Sequence, residues 1–437
     1  MHQLLKRVSA VRWGLWVVCL PLLLTAGPAA ADTTTIPPEW RFRANAQLNA
    51  VFKRETGTPI SWTVAADGSI SSSPLISEGV AYVATNGKSV YAIDLSDGSI
   101  RWRYRGDDEI MTQPLRVDGT IIIGTGNAQV VGYRATQYIV LGTGNNEIVG
   151  LSKMDGNAIW SLGLPGTGMP TGIVVDGTYY HIDGSGLLFA LDAHNGGYIW
   201  RKDVQSTVFM SAINYSHGYF IAAGNWPNRV FAFDADGREL WSHSFNSLDS
   251  GFSDAPLAIA GNYVVSDYVS NADPKKFADD LQPGVEHVYA LRRDNGQLIW
   301  DEALEGGIVP PYNMSSIPVI DGDTVVVGSA LTPYEHAFDL RTGRLLWQTR
   351  VGGPVKGAAS IVGGVVYLGD LKGYLWALDE RAGSPIGAKH FADGFNVGSG
   401  VIARDSLIIG GTSGKIYAIP LAEIRGARDY PQTGVLR

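Results

Sequence analysis

A short phrase that ends in tryptophan recurs along the whole chain and constrains its fold more than any other feature. Six copies read Asp, Asn or Thr, then Gly, three variable residues and Trp, as in Asp97-Gly98-Ser-Ile-Arg-Trp102. Successive landmarks are separated by 40, 58, 40, 41, 59, 47 and 40 residues, so the period is about 40 with three insertions. Tandem units of this length predict a repeat architecture. An earlier copy carries one extra residue, a last copy has Gly387 at the final position, and the tryptophans are Trp62, Trp102, Trp160, Trp200, Trp241, Trp300 and Trp347.

The unit that ends at Trp102 contains four strand-like segments. They alternate polar with apolar residues, are rich in β-branched and aromatic residues, and are separated by turn pairs such as Asp97-Gly98, which favour tight hairpins. Four-stranded units of about 40 residues in tandem are typical of propeller blades around a central channel. The sequence therefore predicts an all-β fold, an eight-bladed β-propeller of four-stranded antiparallel blades. The four segments are Ser73–Ile76, Val80–Ala84, Ser89–Asp94 and Ile100–Tyr104.

The last unit supplies only three of its four strands, the third of them near Lys415–Ile419. Residues Ile60–Val64, at the start of the repeat region, can supply the fourth. Pairing of the N- and C-terminal strands would close the ring and leave no unpaired end. In such a ring we expect the seven tryptophans to pack between successive blades. Burial of each indole there should stabilise the fold by about 2 to 3 kcal/mol.

The first 31 residues resemble a secretory signal. They begin with Lys6, Arg7 and Arg12, continue with an apolar run over Trp13–Leu24 and end in small residues, which predicts cleavage after Ala31. No later stretch approaches the roughly 20 apolar residues of a membrane-spanning helix. We therefore expect a periplasmic or secreted protein with no transmembrane segment. The expected organisation is a signal peptide at 1–31, an N-terminal extension at 32–47, the propeller at 48–420 and a C-terminal tail at 421–437.

The only cysteine, Cys19, lies inside the apolar run and not at its end, where a lipoprotein signal would place it. Cleavage after Ala31 would leave a chain without a thiol, which excludes disulfides, thiolate metal sites and cysteine nucleophiles. Without the three cations of the leader, 31 Lys and Arg remain against 42 Asp and Glu. An acidic surface of this kind repels phosphate backbones, so nucleic acid is not an expected partner.

The recurring phrase Val90-Tyr-Ala-Ile-Asp-Leu-Ser-Asp-Gly-Ser-Ile-Arg-Trp102 resembles the repeat of the pyrroloquinoline-quinone (PQQ) propeller superfamily, with its tryptophan docking motif. The resemblance covers residues from about 48 to 420. The superfamily contains quinoprotein alcohol dehydrogenases and also proteins without enzymatic activity, notably the BamB-like outer-membrane assembly lipoproteins. Since a fold of this kind serves many functions, the resemblance alone does not decide between them.

The dehydrogenases that this chain resembles carry a vicinal cysteine pair over PQQ, an acidic base and a calcium site. The cysteine pair is absent here, and so is the Cys-x-x-Cys-His motif that attaches haem. In size, and in segments such as Gly369–Asp379, the chain is more similar to BamB-like proteins, although it lacks their lipid-bearing cysteine. Hydrolytic members, the tetrathionate hydrolases of acidophiles, share the superfamily, but no motif can be carried over from them.

One position at the start of the innermost strand of each blade is unusually rich in methionine. In blade order the residues are Ser71, Met111, Met169, Met210, Ser253, Met314, Lys356 and Val397. This position should lie at the mouth of the channel, on the rim that carries the links between blades, which we call the upper rim. Methionine adapts to irregular packing, and a ring of thioethers could also bind Cu(I). Both interpretations remain open, as does contact of the methionines with a partner segment.

Asp254 follows the methionine position in the fifth blade and is the candidate acid or base at the channel mouth. Lys356 is the one cation at the methionine position and could pair with Asp254 or attract an anion. Two long insertions extend the upper rim, a partial duplication near residues 121–150 and a segment between Val269 and His287. Binding residues commonly lie in such loops. The candidate binding rim is formed by Lys356, Asp273, Lys275 and Phe277.

Together these features predict a BamB-like binding or scaffold protein of the cell envelope, whose partner is an envelope protein or a small exported ligand. The first alternative is an enzyme of the quinoprotein dehydrogenase or tetrathionate hydrolase type, with its site at the channel mouth. The second alternative is a Cu(I)-binding protein. The candidate cofactors are PQQ with calcium, and Cu(I).

Overall fold

The structure is a computed structural model of the 437-residue chain. It describes residues 49–53, 57–134, 137–208, 210–252, 254, 256–271, 282–309 and 315–431. The predicted leader, the extension up to residue 48, Met314, and the candidate rim residues Asp273, Lys275 and Phe277 lie outside the described residues.

Eight four-stranded antiparallel sheets follow one another in the described chain, as the repeat predicts. The first four blades are formed as follows, after two N-terminal strands, β1 (Val51–Phe52) and β2 (Trp62–Ala65): blade 1 by β3 (Leu75–Ser77), β4 (Val80–Ala84), β5 (Ser89–Asp94) and β6 (Ile100–Arg105); blade 2 by β7 (Leu115–Val117), β8 (Thr120–Gly124), β11 (Glu147–Ser152) and β12 (Ala158–Gly163), with the extra hairpin β9 (Val131–Arg134) and β10 (Gln137–Val140); blade 3 by β13 (Ile173–Val175), β14 (Thr178–Ile182), β15 (Leu187–Asp192) and β16 (Tyr198–Asp203); and blade 4 by β17 (Asn214–Ser216), β18 (Tyr219–Gly224), β19 (Arg229–Phe233) and β20 (Glu239–Ser244).

The second half of the ring repeats this order. Its blades are formed as follows: blade 5 by β21 (Ala258–Ala260), β22 (Tyr263–Ser270), β23 (Pro283–Arg292) and β24 (Leu298–Ile308); blade 6 by β25 (Val319–Asp321), β26 (Thr324–Val327), β27 (Tyr334–Asp339) and β28 (Leu345–Arg350); blade 7 by β29 (Ser360–Val362), β30 (Val365–Gly369), β31 (Tyr374–Asp379) and β32 (Pro385–His390); and blade 8 by β33 (Val401–Ala403), β34 (Ser406–Gly410), β35 (Lys415–Pro420) and the N-terminal β2.

The two ends of the chain share the eighth blade. Strand β2 pairs antiparallel with β35, with Trp62 opposite Ala418 and Ala65 opposite Lys415. The backbone N–H of Ile60 donates to Oγ of Ser406, and that hydroxyl donates back to the carbonyl of Ile60. The predicted eight-bladed ring, closed by its N- and C-terminal strands, is therefore confirmed.

Each tryptophan of the repeat lies against the glycine of the same phrase in the next blade. At Gly343, a Cβ would lie 2.8 Å from Cδ2 of Trp300, so a larger residue would displace the indole. Five indole N–H groups also donate to a backbone carbonyl of the next blade at 2.8 to 3.0 Å. The contacting pairs are Trp62 and Gly98, Trp102 and Gly156, Trp160 and Gly196, Trp200 and Gly237, Trp241 and Gly296, Trp300 and Gly343, and Trp347 and Gly383.

At the seam after blade 7 a helix takes the place of the missing tryptophan. The helix α1 (Leu421–Gly426) follows β35 directly. A Cβ on Gly387 would lie 2.2 Å from the carbonyl oxygen of Ile424, so the backbone of the helix occupies the space of the absent side chain. Leu421 and Ile424 are buried in the apolar core between blades 7 and 8. No helix of the described residues is long and apolar enough to cross a membrane.

An N-terminal segment lies inside the lower end of the channel, an arrangement that the repeat pattern does not predict. Strand β1 pairs parallel with β29, the innermost strand of blade 7. The side chain of Asn49 donates to the carbonyl of Ile259 at 2.7 Å and accepts from the N–H of Ile320 at 2.9 Å. Residues 49–52 therefore contact the innermost strands of blades 5, 6 and 7, opposite the rim on which the candidate site lies.

Candidate functional site

The upper end of the channel contains a small pocket that is partly open to solvent. It is formed where the chain enters the innermost strand of several blades, the position at which the sequence places its methionines. Three of the four candidate methionines and Asp254 line it. The lining residues are Ser71, Ser72, Ser73, Met111, Gln113, Met169, Thr171, Met210, Asp254, Pro256, Ile317 and Val397.

Several hydroxyl groups of the pocket wall hold neighbouring blades together. Oγ1 of Thr171 accepts from the N–H of Gln113 at 3.1 Å, and Oγ of Ser73 accepts from the N–H of Ser399 at 3.0 Å. Ser72 donates to the carbonyl of Ala84. Because these hydroxyls have partners within the ring, they shape the pocket and contribute little to ligand recognition.

The thioethers, one amide and one carboxyl group are the other polar or polarisable groups of the pocket. Gln113 is 3 % exposed, and its Oε1 has no hydrogen-bond partner among the described residues. Met169 is buried, whereas Met111 and Met210 are partly exposed to the channel. Asp254 is 3 % exposed and lies near the ammonium group of Lys356. The pocket thus combines soft sulfur atoms with an acid that is largely removed from water.

Behind Asp254 lies a pair of buried carboxyl groups, from Asp267 in β22 and Glu286 in β23, that hydrogen-bond to each other. Such a bond requires one proton between the two groups. Glu286 also accepts from Oγ of Ser329 at 2.5 Å and from the N–H of Ala330 at 3.0 Å, as suits an ionised group. Burial and the nearby Glu286 raise the pKa of Asp267 well above its usual range. We therefore place the proton on Asp267, which donates it to the Glu286 carboxylate.

Two further titratable groups, Glu335 and Lys356, lie near this pair. Glu335 of β27 is buried, and neither of its oxygens has a hydrogen-bond partner among the described residues. Burial and the nearby Glu286 raise the pKa of Glu335 well above its usual range. Burial lowers the pKa of Lys356, while Asp254 and Glu286 oppose that change. Lys356 thus lies near Asp254 and Glu286, while Asp267 and Glu335 lie near Glu286. Because this cluster has more carboxyl groups than cations, it is stable only when some of the acids are protonated.

The sequence analysis did not identify Asp267, Glu286 or Glu335 as part of this site. Each is a charged residue inside a strand of otherwise apolar pattern, in the segments Val-Ser-Asp267-Tyr, Val-Glu286-His and Tyr-Glu335-His. An acid at such a position is a signal that could have been noticed. Only the ring geometry, however, shows that these three strands bring their acids together behind Asp254.

The buried acids predict a pH dependence that can be isolated with one substitution. A carboxyl group whose pKa is raised by folding stabilises the fold below its unfolded pKa, and this contribution is lost as the pH rises through the folded pKa. Glu335→Gln removes one such group. Relative to the unmodified chain, the free energy of unfolding of this variant should increase by about 1.4 kcal/mol for each pH unit between the unfolded and the folded pKa of Glu335, and then stay constant.

Denaturant unfolding at several pH values measures this difference. The matched control is Glu302→Gln, because Glu302 is exposed on β24 and its loss should leave the pH profile unchanged. Contributions from buried histidines such as His181 are common to all three proteins and cancel. A constant difference between Glu335→Gln and the unmodified chain across the pH range would contradict the assigned protonation.

The residues present do not fit the calcium and PQQ site that a resemblance to quinoprotein dehydrogenases implies. Among the described residues, no three His, Cys, Asp or Glu side chains are grouped so that they could hold a metal ion. The chain has one cysteine, Cys19, and so no vicinal pair. The residues present are compatible with a thioether site, because Met111, Met169 and Met210 line the same pocket and thioethers favour Cu(I).

Comparison with known proteins places the whole repeat region in one family. The family model described as "Outer membrane protein assembly factor BamB" matches residues 24–168, 144–274 and 284–423. Two curated relatives are similar over most of the chain. The tetrathionate hydrolase of Acidithiobacillus ferrooxidans is 24 % identical over 80 % of this chain and 72 % of its own length. The outer membrane protein assembly factor BamB of Bordetella pertussis is 24 % identical over 67 % of this chain and 68 % of its own length.

Solved structures share the fold at low sequence identity. BamB from Moraxella catarrhalis superposes with a TM-score of 0.60 at 17 % identity, over 83 % of this chain and 97 % of that protein. The quinohemoprotein alcohol dehydrogenase of Comamonas testosteroni gives a TM-score of 0.65 at 13 % identity, over 91 % and 82 %. These likenesses show the propeller fold and do not distinguish among its functions.

Proposed function

We propose that this chain, which belongs to the propeller family described as outer membrane protein assembly factor BamB, hydrolyses a small sulfur oxoanion of the tetrathionate type at the mouth of its channel. The observation that carries the proposal is the burial of Asp254 in the wall of the pocket, beside three thioethers and in front of a proton-sharing carboxyl pair. The extent of the match with a tetrathionate hydrolase supports it.

The pocket suits the chemistry of such a substrate. Tetrathionate is a chain of four sulfur atoms with a sulfonate at each end, and polarisable thioethers favour contact with sulfur. In hydrolysis the water oxygen forms a bond to a sulfonate sulfur and the adjacent sulfur–sulfur bond breaks, so that sulfate, disulfane monosulfonate (HS–S–SO3⁻) and one proton are released. Asp254 is the acid or base for this step, and Lys356 supplies positive charge near the oxoanion. Because the substrate is a dianion, binding beside several carboxyl groups requires that some be neutral, so turnover should increase as the pH falls.

The experiment is a direct assay of the purified chain. Tetrathionate is added at pH values from acidic to neutral, and sulfate release is followed by ion chromatography, with the heat-unfolded chain as a blank. We expect sulfate to appear with the native chain and faster in acid. No sulfate at any pH, with the chain shown to be folded by circular dichroism, would contradict the proposal.

A second candidate, assembly of envelope proteins, is favoured by the composition of the upper rim. The extra hairpin of blade 2 begins with Val131, which is 44 % exposed, and the long β24 ends at Ile308, which is 54 % exposed. Leu248 is also exposed in the link between blades 4 and 5. Exposed apolar residues are typical of protein interaction sites, and the curated relatives include assembly factors.

Affinity capture from an envelope fraction tests this second candidate. A component of outer membrane protein assembly should be captured by the chain, and the Val131→Asp, Ile308→Asp double variant should reduce its recovery by tenfold or more, since about 1.4 kcal/mol corresponds to a factor of ten. The control is Ile159→Asp, which alters an exposed residue of β12. Equal capture by both variants would show that the rim is not the binding surface.

A further inference from the structure

A serine, a histidine and an aspartate form a hydrogen-bonded chain on the long strands of blade 5. Oγ of Ser270 lies 3.1 Å from Nε2 of His287 and 3.3 Å from the carbonyl oxygen of Val285, so its proton can be donated to either. Nδ1 of the same ring lies 2.9 Å from Oδ1 of Asp301. Because an ionised aspartate only accepts hydrogen bonds, Nδ1 carries a proton, and Nε2 of the neutral ring is free to accept from the serine hydroxyl. This is the arrangement in which a base activates a serine and a carboxylate orients the base.

The sheet geometry brings these three residues together from three adjacent strands. In β22 and β23, Tyr268 is opposite His287, and in β23 and β24, Tyr289 is opposite Asp301. Since alternate residues of a strand share a face, Ser270, His287 and Asp301 lie on one face of the blade. These strands are longer than their counterparts in the other blades, so the cluster lies beyond the shared core, near the upper rim.

Tyr268 fixes the histidine and the aspartate in this arrangement. Its hydroxyl donates to Oδ2 of Asp301 at 2.8 Å, and its ring stacks on the His287 imidazole with centroids 4.7 Å apart and planes inclined by 16°. The histidine and aspartate side chains are 21 % and 26 % exposed, and Ser270 is also partly exposed. The serine is thus held beside its base and is accessible from solvent.

The other described histidines make no such chain. His217 contacts Ser216 but then Arg293, and His336 contacts Glu305 without a hydroxyl group. His194 bonds only to aspartates. Of the seven described histidines, His287 is the one whose recorded hydrogen bonds join a serine on one nitrogen to a carboxylate on the other.

We propose that Ser270, His287 and Asp301 form a second catalytic site, a serine esterase for small carboxylic esters with an apolar acyl group. Oγ of Ser270 attacks the carbonyl carbon, and its proton passes to Nε2 of His287. The carbon–oxygen bond to the alcohol breaks, and the alcohol leaves with that proton. Water then hydrolyses the acyl-serine through the same histidine, which returns the proton to Ser270. Exposed Leu248 and Ile308 lie on the neighbouring rim and favour an apolar acyl group.

The backbone N–H of Asn271, the residue after the serine, can stabilise the oxyanion. Asn271 has a left-handed backbone with φ of 59°, and its N–H donates to the carboxylate of Asp249. The N–H of the residue after the nucleophile commonly has this role in hydrolases. A substrate carbonyl oxygen would replace the Asp249 carboxylate at this donor. Burial raises the pKa of Asp249, so the displaced group becomes neutral more easily than an ordinary aspartate.

A fluorophosphonate probe tests the proposal on the full chain. The serine oxygen forms a bond to phosphorus, fluoride leaves, and peptide mass spectrometry identifies the modified residue. We expect modification at Ser270, with none at this peptide in Ser270→Ala and a rate lowered by about 10²- to 10⁴-fold in Asp301→Asn, which disturbs the orientation of the histidine. Hydrolysis of p-nitrophenyl butyrate should fall in parallel.

Two controls separate catalysis from structure. Ser216→Ala removes another serine that contacts a histidine among the described residues and should leave both readouts unchanged. Modification of Ser270 in the unmodified chain tests the proposal even if a variant fails to fold. Absence of modification at Ser270, or modification that does not depend on Asp301, would overturn the proposal. The three residues would then only connect the long strands of blade 5.

Discussion

The Asp254→Asn variant is expected to lose sulfate release from tetrathionate by a factor of about 10² to 10⁴, the usual contribution of a general acid or base. Asn has nearly the shape of Asp and keeps the wall of the pocket, but it cannot exchange a proton. The loss should appear mainly in kcat, because the thioethers that contact the substrate are unchanged. Steady-state kinetics at the pH of highest activity measures it.

The matched control for this variant is Asp176→Asn. Asp176 is an exposed residue in the tight turn between β13 and β14, on the rim opposite the pocket, and its φ of 50° is one that asparagine tolerates. The kcat of the Asp176→Asn variant should equal that of the unmodified chain. Unaltered kcat in Asp254→Asn, with thermal unfolding like that of the unmodified chain, would remove Asp254 from the reaction.

Trp300→Ala is expected to lower the free energy of unfolding by about 3 to 5 kcal/mol, as is typical of a large aromatic residue removed from a core. Trp300 is buried against Gly343 of the next blade, and its Nε1 donates to the carbonyl of Leu340 at 2.8 Å. The variant opens a cavity between two blades and leaves that carbonyl without its partner. Urea unfolding followed by circular dichroism measures the change.

Leu345→Ala is the control for this substitution. Leu345 lies two residues before the tryptophan of the next phrase on β28 and is exposed, so its loss should change the free energy of unfolding by no more than about 0.5 kcal/mol. A change of that small size in Trp300→Ala would mean that the tryptophan contacts do not stabilise the ring.

The fold was predictable because its information is local and repeated. The Asp97-Gly98 pair forces a tight turn, alternation marks the strands on each side, and the spacing to Trp102 returns in blade after blade. Closure followed from one physical requirement, that the incomplete last unit find a fourth strand near Trp62. Each of these inferences depends on residues close together in sequence or on a count of units.

The remaining features depend on contacts between residues far apart in the chain. Residues 49–52 enter the channel without a periodic pattern of their own, and the helix after Pro420 is too short to be predicted from six residues. The repeat assigns Met111, Met169 and Met210 to equivalent positions, and these three residues line one pocket. The spacing of Asp267 and Glu286 in the sequence, by contrast, does not indicate that they share a proton near Asp254. The sequence favoured a scaffold over an enzyme because the chain lacks the cysteine pair of the dehydrogenases and is more similar to BamB-like proteins in size and repeat.

The shared eighth blade also bears on how the chain reaches its native state. Trp62 and Ala418 are paired although more than 350 residues separate them. The N-terminal strand can therefore pair with β35 only after the rest of the ring has formed. Contacts of such sequence separation form slowly, and an exposed strand edge can accept a strand from another molecule in the meantime. At high concentration we therefore expect refolding to yield dimers that have exchanged residues 62–65, with each ring completed by its neighbour.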